Sequence, residues 1–150
     1  MAGVGQSVPR VDGLEKVTGR VEYTINMEIP GMLHVKVLRS PHPHARIVTI
    51  DASRAERVRG VRAVLTREDL KSGSVDPYYG PVVRDQPIVA IDKVRYVGDA
   101  VAAVAAVDEQ VAEEALELIA VEYEDLPAVL DVEEAMRPGA PLLHESVSAA

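Results

Sequence analysis

The sequence predicts an α+β domain in which a mixed β-sheet is packed with short helices and one longer amphipathic helix. Three observations carry that prediction. Short runs rich in Val, Ile and Ala with strand-like spacing recur along the chain. One stretch alone, Val111, Ala112, Ala115, Leu116 and Ile119, carries apolar residues at a sustained helical spacing. Turn signals at Pro30-Gly31, Asp92-Lys93 and Gly98-Asp99 separate the runs as hairpins would, which favours a mixed sheet over a purely parallel one. At 150 residues the chain has the length of one domain. That length suffices to bury roughly 70% of the surface that the unfolded form would expose.

The first residues carry Gly3, Gly5, Gly13 and Gly19 with Pro9, so residues 1–20 are expected to form an extended, turning arm ahead of a single domain over 21–150. Gly3-Val4-Gly5 is a fragment of a phosphate-loop pattern without the following Gly-Lys-Ser/Thr, and it predicts no nucleotide site. Arg20 to Thr24, Leu33 to Leu38 and Ala45 to Ile50 are expected strands. The alternation of the third would place Ile47 and Thr49 on one face, with Arg46, Val48 and Ile50 on the other. Ser53-Arg54-Ala55-Glu56 has the spacing of a capping box and predicts a short helix ending near Gly60. Val61 to Leu65 then reads as a strand, and Thr66 caps a helix of one or two turns with Glu68 and Asp69 at its positive end.

Lys71 to Asp85 has no clear period and forms the longest loop, with Tyr78 and Tyr79 placed to touch a partner or to pack onto the domain. Pro87 to Ile91 and Val94 to Val97 flank Asp92-Lys93 as a hairpin. Ala100 to Val107 is small and apolar throughout, as a strand covered on both faces should be, and is the expected central strand. Asp108 caps the long helix, whose Glu109, Gln110, Glu113, Glu114 and Glu117 form its solvated face. Ala120 to Tyr123 returns as a strand, Asp131 caps a last short helix stopped by Pro138-Gly139, and a polar, small-residue tail follows.

Composition narrows the function classes. With 47% hydrophobic residues, no long apolar run and an opening unlike a targeting sequence, the chain reads as soluble, without a membrane span, and compatible with the cytoplasm. A net charge of −8 with scattered basic residues argues against nucleic acid. The absence of cysteine removes thiolate nucleophiles, cysteine-ligated zinc and cysteine-ligated iron–sulfur clusters from this chain.

The segment Arg39-Ser40-Pro41-His42-Pro43-His44-Ala45-Arg46 holds the most chemistry. Strand geometry would put His42 and His44 on one face, but no third ligand sits at a telling spacing, and neither His34 nor His144 completes a set. Ser40 and Ser53 lack any nucleophile signature around them. The residues alone therefore describe an α+β domain without an autonomous active site.

Six segments in order from residue 11 to 145 carry a resemblance: VDGLEKVTGRVEYT, PGMLHVKVLRSPHPHARIVTID, GVRAVLT, QPIVAIDKVRYVGDAVAAVAA, EEALELIAVEYEDLPAVLD and GAPLLHE. Together they resemble the α/β hammerhead domain at the start of the large subunit of molybdenum hydroxylases, the xanthine dehydrogenase, aldehyde oxidase and carbon monoxide dehydrogenase family. Asn26, where the family often has Asp, and Gly98-Asp99-Ala100, where Gly-Glu-Pro is common, are departures at turns.

The resemblance implies a non-catalytic structural domain or split subunit of an oxidoreductase that uses molybdopterin, [2Fe–2S] clusters and usually FAD. The cofactor-contacting loops and the general base would lie on a longer region outside this chain, so no catalytic, cofactor-binding or metal-binding residue is assigned here. The expected partners are the molybdenum-binding chain or domain and the iron–sulfur and FAD subunits, with self-association when the chain is isolated. Arg39, His42, His44, Arg46, Tyr78 and Tyr79 are the candidate partner-interface residues. A free-standing assembly module reusing the fold is the alternative, and an autonomous small enzyme would need a co-purifying metal or cofactor.

Overall fold

A computed structural model describes residues 4–73 and 76–144; the tail expected at 145–150 lies outside the described residues. The chain divides into two compact units, one ending at Met32 and one beginning at Leu33. The first holds helix α1 (Gly13–Val17) and a 3-10 turn at Thr24–Asn26. Within the stretch read as an extended arm, the chain thus closes one helical turn. The strand expected at Arg20 to Thr24 is absent, because no neighbouring strand pairs with these residues and alternation alone cannot hold a strand.

The second unit is built from β1 (His34–Arg39), β2 (Ala45–Asp51), β3 (Val61–Leu65), α2 (Arg67–Lys71), β4 (Tyr78–Tyr79), β5 (Gln86–Pro87), β6 (Lys93–Val94), β7 (Ala100–Ala106), α3 (Glu109–Leu116), β8 (Ala120–Asp125) and α4 (Val132–Ala135). The strands form two three-stranded sheets, β1-β7-β3 and β6-β2-β8, and a two-stranded ribbon β4-β5. The α+β class holds. The single mixed sheet does not: every pairing between these strands is antiparallel.

The β7 strand lies at the centre of the first sheet, with Val101, Ala102, Val104 and Ala106 fully buried. Its small side chains let α3 pack closely, and Ala112 and Ala115 are fully buried. Asp108 caps α3 through Oδ1, which accepts from the backbone N–H groups of Gln110 and Val111. On the outer face, Glu109 and Glu113 flank the Lys36 ammonium, so part of the acidic run is paired rather than merely solvated. One core cluster joins Ala52, Ala55, Ala102, Val104, Ala115 and Ile119; a second joins Ala45, Ile47, Ala90, Val94 and Val101. Ile50 and Val121 pack against both, so the two sheets share one apolar interior.

Three local expectations change. A register shift between Ile47 and Thr49 puts a bulge in β2, leaving Thr49 exposed and turning Ile50 toward the core. Ser53 caps no helix; its backbone N–H is taken by Asp51 Oδ1 at 2.9 Å, and Ala55–Arg57 form only a 3-10 turn. Asp92-Lys93 is not a hairpin tip, because Lys93–Val94 pair with Ala45 and Arg46 while Gln86–Pro87 pair with Tyr78 and Tyr79. By contrast Thr66 caps α2 as expected, with Asp69 completing a capping box, and Asp131 Oδ1 caps α4.

Gly60 joins the 3-10 turn to β3 at φ +106°, and its carbonyl accepts the Val107 N–H at 3.0 Å. A Cβ there would stand 3.2 Å from both Val107 Cγ2 and Val111 Cγ1. Gly60→Ala is therefore expected to lose about 1–2 kcal/mol through left-handed strain and crowding, read as a lower urea midpoint.

Candidate functional site

The corner between β1 and β2 is assembled from backbone first. At the end of β1, Ser40 N–H donates to the Asp99 carbonyl and the Gly98 N–H donates to the Ser40 carbonyl, each at 2.8 Å. These bonds join the exit of β1 to the entry of β7. Arg39 reinforces the joint, its Nη1 donating to the Gly98 carbonyl at 2.9 Å. Ser40 is buried; its Oγ accepts the His42 N–H at 3.0 Å and donates to the His42 carbonyl at 3.1 Å, holding the Pro41 turn. The prolines and this hydroxyl fix the path of the corner together.

The two histidines take different partners. His42 Nδ1 donates to Asp125 Oδ1 at 2.7 Å, and its ring lies 4.6 Å from that of Tyr123 with the planes tilted by 40°. His44 is buried, donates from Nδ1 to the Pro127 carbonyl at 2.8 Å, and its own carbonyl accepts the Leu126 N–H. Both therefore hold β2 to the strand and loop opposite. Arg46 sits across from Glu124 in the β2–β8 register, with Nε 3.1 Å from Oε2. Both side chains are mostly exposed, and such a pair adds little to stability. Among the described residues no group of three His, Asp or Glu is placed to hold a metal ion.

Burial raises the Tyr123 phenol above its ordinary value, a shift that the Ser40 hydrogen bond opposes and the Asp99 charge supports. Burial and then the Asp99 charge raise Tyr96 as well.

Tyr78 and Tyr79 lie on the β4–β5 ribbon, both exposed, with Tyr78 opposite Pro87 and Tyr79 opposite Gln86. Arg84 braces the ribbon, donating to the Tyr78 carbonyl at 2.9 Å and pairing with Asp76 at 2.8 Å. Tyr79 lines a cavity of about 370 Å³ with Gln86, Arg95, Tyr96 and Asp99; Tyr78 does not. His44 and Arg46 line another of about 350 Å³ with Asp92, Lys93 and Arg95. Pro43 and His44 also line a more apolar one of about 410 Å³ with Arg95, Tyr96 and Val97. The six candidates are therefore not one patch. The residue common to all three cavities is Arg95, which composition and motif spacing did not single out. The signal for it was the clustering of Lys93, Arg95 and Tyr96 next to the Gly98-Asp99 turn.

Comparison with known proteins matches this geometry. The sequence profile of the aldehyde oxidase and xanthine dehydrogenase a/b hammerhead domain matches residues 18–127. The chain is 50% identical over 136 residues to a probable xanthine dehydrogenase subunit of Bacillus subtilis, an alignment that covers 91% of this chain and 18% of that protein. It is 40% identical over 149 residues to the carbon monoxide dehydrogenase large chain of Afipia carboxidovorans, covering 98% and 18%. Its fold superposes on a crystal structure of the Cu,Mo-CO dehydrogenase with a TM-score of 0.88 at 40% identity, over 97% of this chain and 18% of that one. Quinoline 2-oxidoreductase from Pseudomonas putida gives a TM-score of 0.81 at 37% identity, over 97% and 19%. The chain spans about a fifth of each of these relatives. The chain belongs to the aldehyde oxidase and xanthine dehydrogenase family, as its a/b hammerhead domain.

Proposed function

We propose that this chain is a non-catalytic structural part of a molybdenum-cofactor-dependent hydroxylase, either as a split subunit or as one domain of a longer polypeptide. One observation carries the reading: nearly the whole chain aligns with relatives of which it spans only 18%. The reaction of such an enzyme would run on the molybdenum-binding region. Molybdopterin, [2Fe–2S] clusters and FAD belong, on this reading, to the full complex. The residues present do not fit an iron–sulfur cluster, since the chain contains no cysteine. No chemical step is assigned to them.

Residues 21–150 act in this proposal as one domain with 1–20 as its arm. Its partners are the molybdenum-binding chain or domain and the iron–sulfur and FAD subunits, in the cytoplasm. Among the described residues no helix is long and apolar enough to cross a membrane. Leu130, Val132 and Met136 are strongly exposed apolar side chains, which supports self-association when the chain is isolated.

Co-expression with the molybdenum-binding polypeptide of the same source, followed by size-exclusion chromatography and molybdenum analysis, tests the proposal. A stoichiometric, molybdenum-containing complex active on an aldehyde or N-heterocycle panel is expected. Assembly of an active enzyme without this chain would refute it.

A further inference from the structure

The unit that ends at Met32 has a helical turn but no core: among its described residues, 4–32, none is buried. Val11, Leu14, Val17, Ile25, Met27 and Ile29 are all exposed, Leu14 at 72% and Val17 at 82%. Helix α1 is nevertheless two-sided. Leu14 and Val17, three positions apart, share one side, while Asp12 and Lys16 pair along the other. The bonds that hold the turn are local: Thr18 Oγ1 donates to the Leu14 carbonyl at 2.7 Å, and the Arg20 N–H donates to the Glu15 carbonyl at 2.8 Å. Five helical residues do not repay the cost of helix nucleation in water, and exposed ion pairs add little. A two-sided turn with no core of its own needs a surface to lie on.

The hammerhead profile begins at residue 18, so α1 lies outside it. Yet the carbon monoxide dehydrogenase large chain aligns over 98% of this chain, and the Cu,Mo-CO dehydrogenase structure over 97%, shares too large to leave this unit out. This chain covers only 18% of each of those two. The unit therefore recurs where some four-fifths more polypeptide accompanies the domain. We propose that residues 4–32 are a clamp that lies, with Leu14 and Val17 facing inward, on an apolar surface of the molybdenum-binding region and takes its helical form there. The inference rests on the reading of this chain as part of a larger hydroxylase. A second copy is the weaker occupant, because in the relatives the remainder is on the same polypeptide as the domain, at a fixed ratio and a high effective concentration.

The test is amide hydrogen exchange over residues 4–32 in the 150-residue chain alone and in its co-expressed complex with the molybdenum-binding polypeptide of the same source. Exchange is expected to be fast in the chain alone and to slow by at least about tenfold in the complex. Leu14→Asp and Val17→Asp are each expected to weaken the complex about tenfold, whereas Leu14→Met, which keeps the hydrocarbon, and Glu15→Ala, off the apolar side, leave its Kd unchanged. Both apolar side chains are exposed in the chain alone, so its urea midpoint should not move in any of these variants. A complex that forms without slowing exchange in residues 4–32 would overturn the clamp alone. Absence of any complex would overturn the parent reading with it. Slow exchange in the chain alone, lost on dilution, would assign the surface to a second copy and overturn the proposal.

Discussion

Val104→Asp is expected to lower the urea midpoint steeply, by the equivalent of about 4 kcal/mol. Val104 has no solvent exposure, lies mid-way along β7, and is opposite Lys36 of β1 on one side and Val64 of β3 on the other. Its side chain belongs to the cluster that joins this sheet to Ala115 of α3 and to Ile119 just beyond that helix. The substitution removes about 1.5–3 kcal/mol of apolar burial and adds a carboxyl without a partner, so the combined loss is about 4 kcal/mol. That is a large share of the roughly 5–15 kcal/mol that holds a domain of this kind together. Val104→Ala, which leaves only a cavity, should lose about 2 kcal/mol and keep the cooperative transition. Urea titration followed by circular dichroism checks both. An Asp variant as stable as the Ala variant would mean that the strand can rotate its face to water, contrary to the closed packing around it.

The prominence of β7 in the sequence has the same origin as its stability. A strand covered on both faces needs no polar residue, and Ala100 to Val107 contains none. Asp108, Asp131 and Thr66 were equally legible, because a helix cap is satisfied within a few residues and its signal is local. Strand partnership is not local. The run around Lys93 resembles one arm of a hairpin, yet Lys93 and Val94 close on Ala45 and Arg46, far earlier in the chain. The bulge at Val48 left no turn residue to mark it, so the phase of β2 beyond Ile47 could not be read from alternation.

The site divides in the same way. Arg39 to Arg46 drew attention through its own composition, and the turn-forming roles of Ser40 and the prolines are local. Arg95 and Asp99 gain their roles only when the entry of β7 meets the exit of β1, a contact spanning 59 positions in the case of Arg39 and Gly98. The resemblance supplied the family; it did not mark which cations would share a cavity with the buried His44.

Asp99→Leu is the second large expected effect. The sequence presents Asp99 as an ordinary turn residue, but its side chain is almost fully buried and Oδ2 accepts the Arg95 N–H at 3.0 Å. Its backbone completes the joint, with N–H donating to the Tyr96 carbonyl at 3.1 Å and C=O accepting from Ser40. Leucine would fill the volume but leave the Arg95 N–H without an acceptor where water is largely excluded, which costs about 2–3 kcal/mol. Asp99→Asn keeps an oxygen at that position and should lose less than about 1 kcal/mol, separating the hydrogen bond from the charge.

The Asp99 variants also report on how Arg95 is positioned. Arg95 is carried by the turn that Asp99 closes, and its Nε donates to the carbonyl of Leu143, which lines the cavity of about 410 Å³. Loosening that turn misplaces the Arg95 guanidinium, whereas Val104→Ala weakens the core without touching it. Asp99→Leu should therefore speed amide hydrogen exchange over residues 93–99 under conditions where the protein remains folded, and Val104→Ala should do so far less. Equal exchange over these residues in the two variants would show that Arg95 is positioned from elsewhere and that the turn serves stability alone.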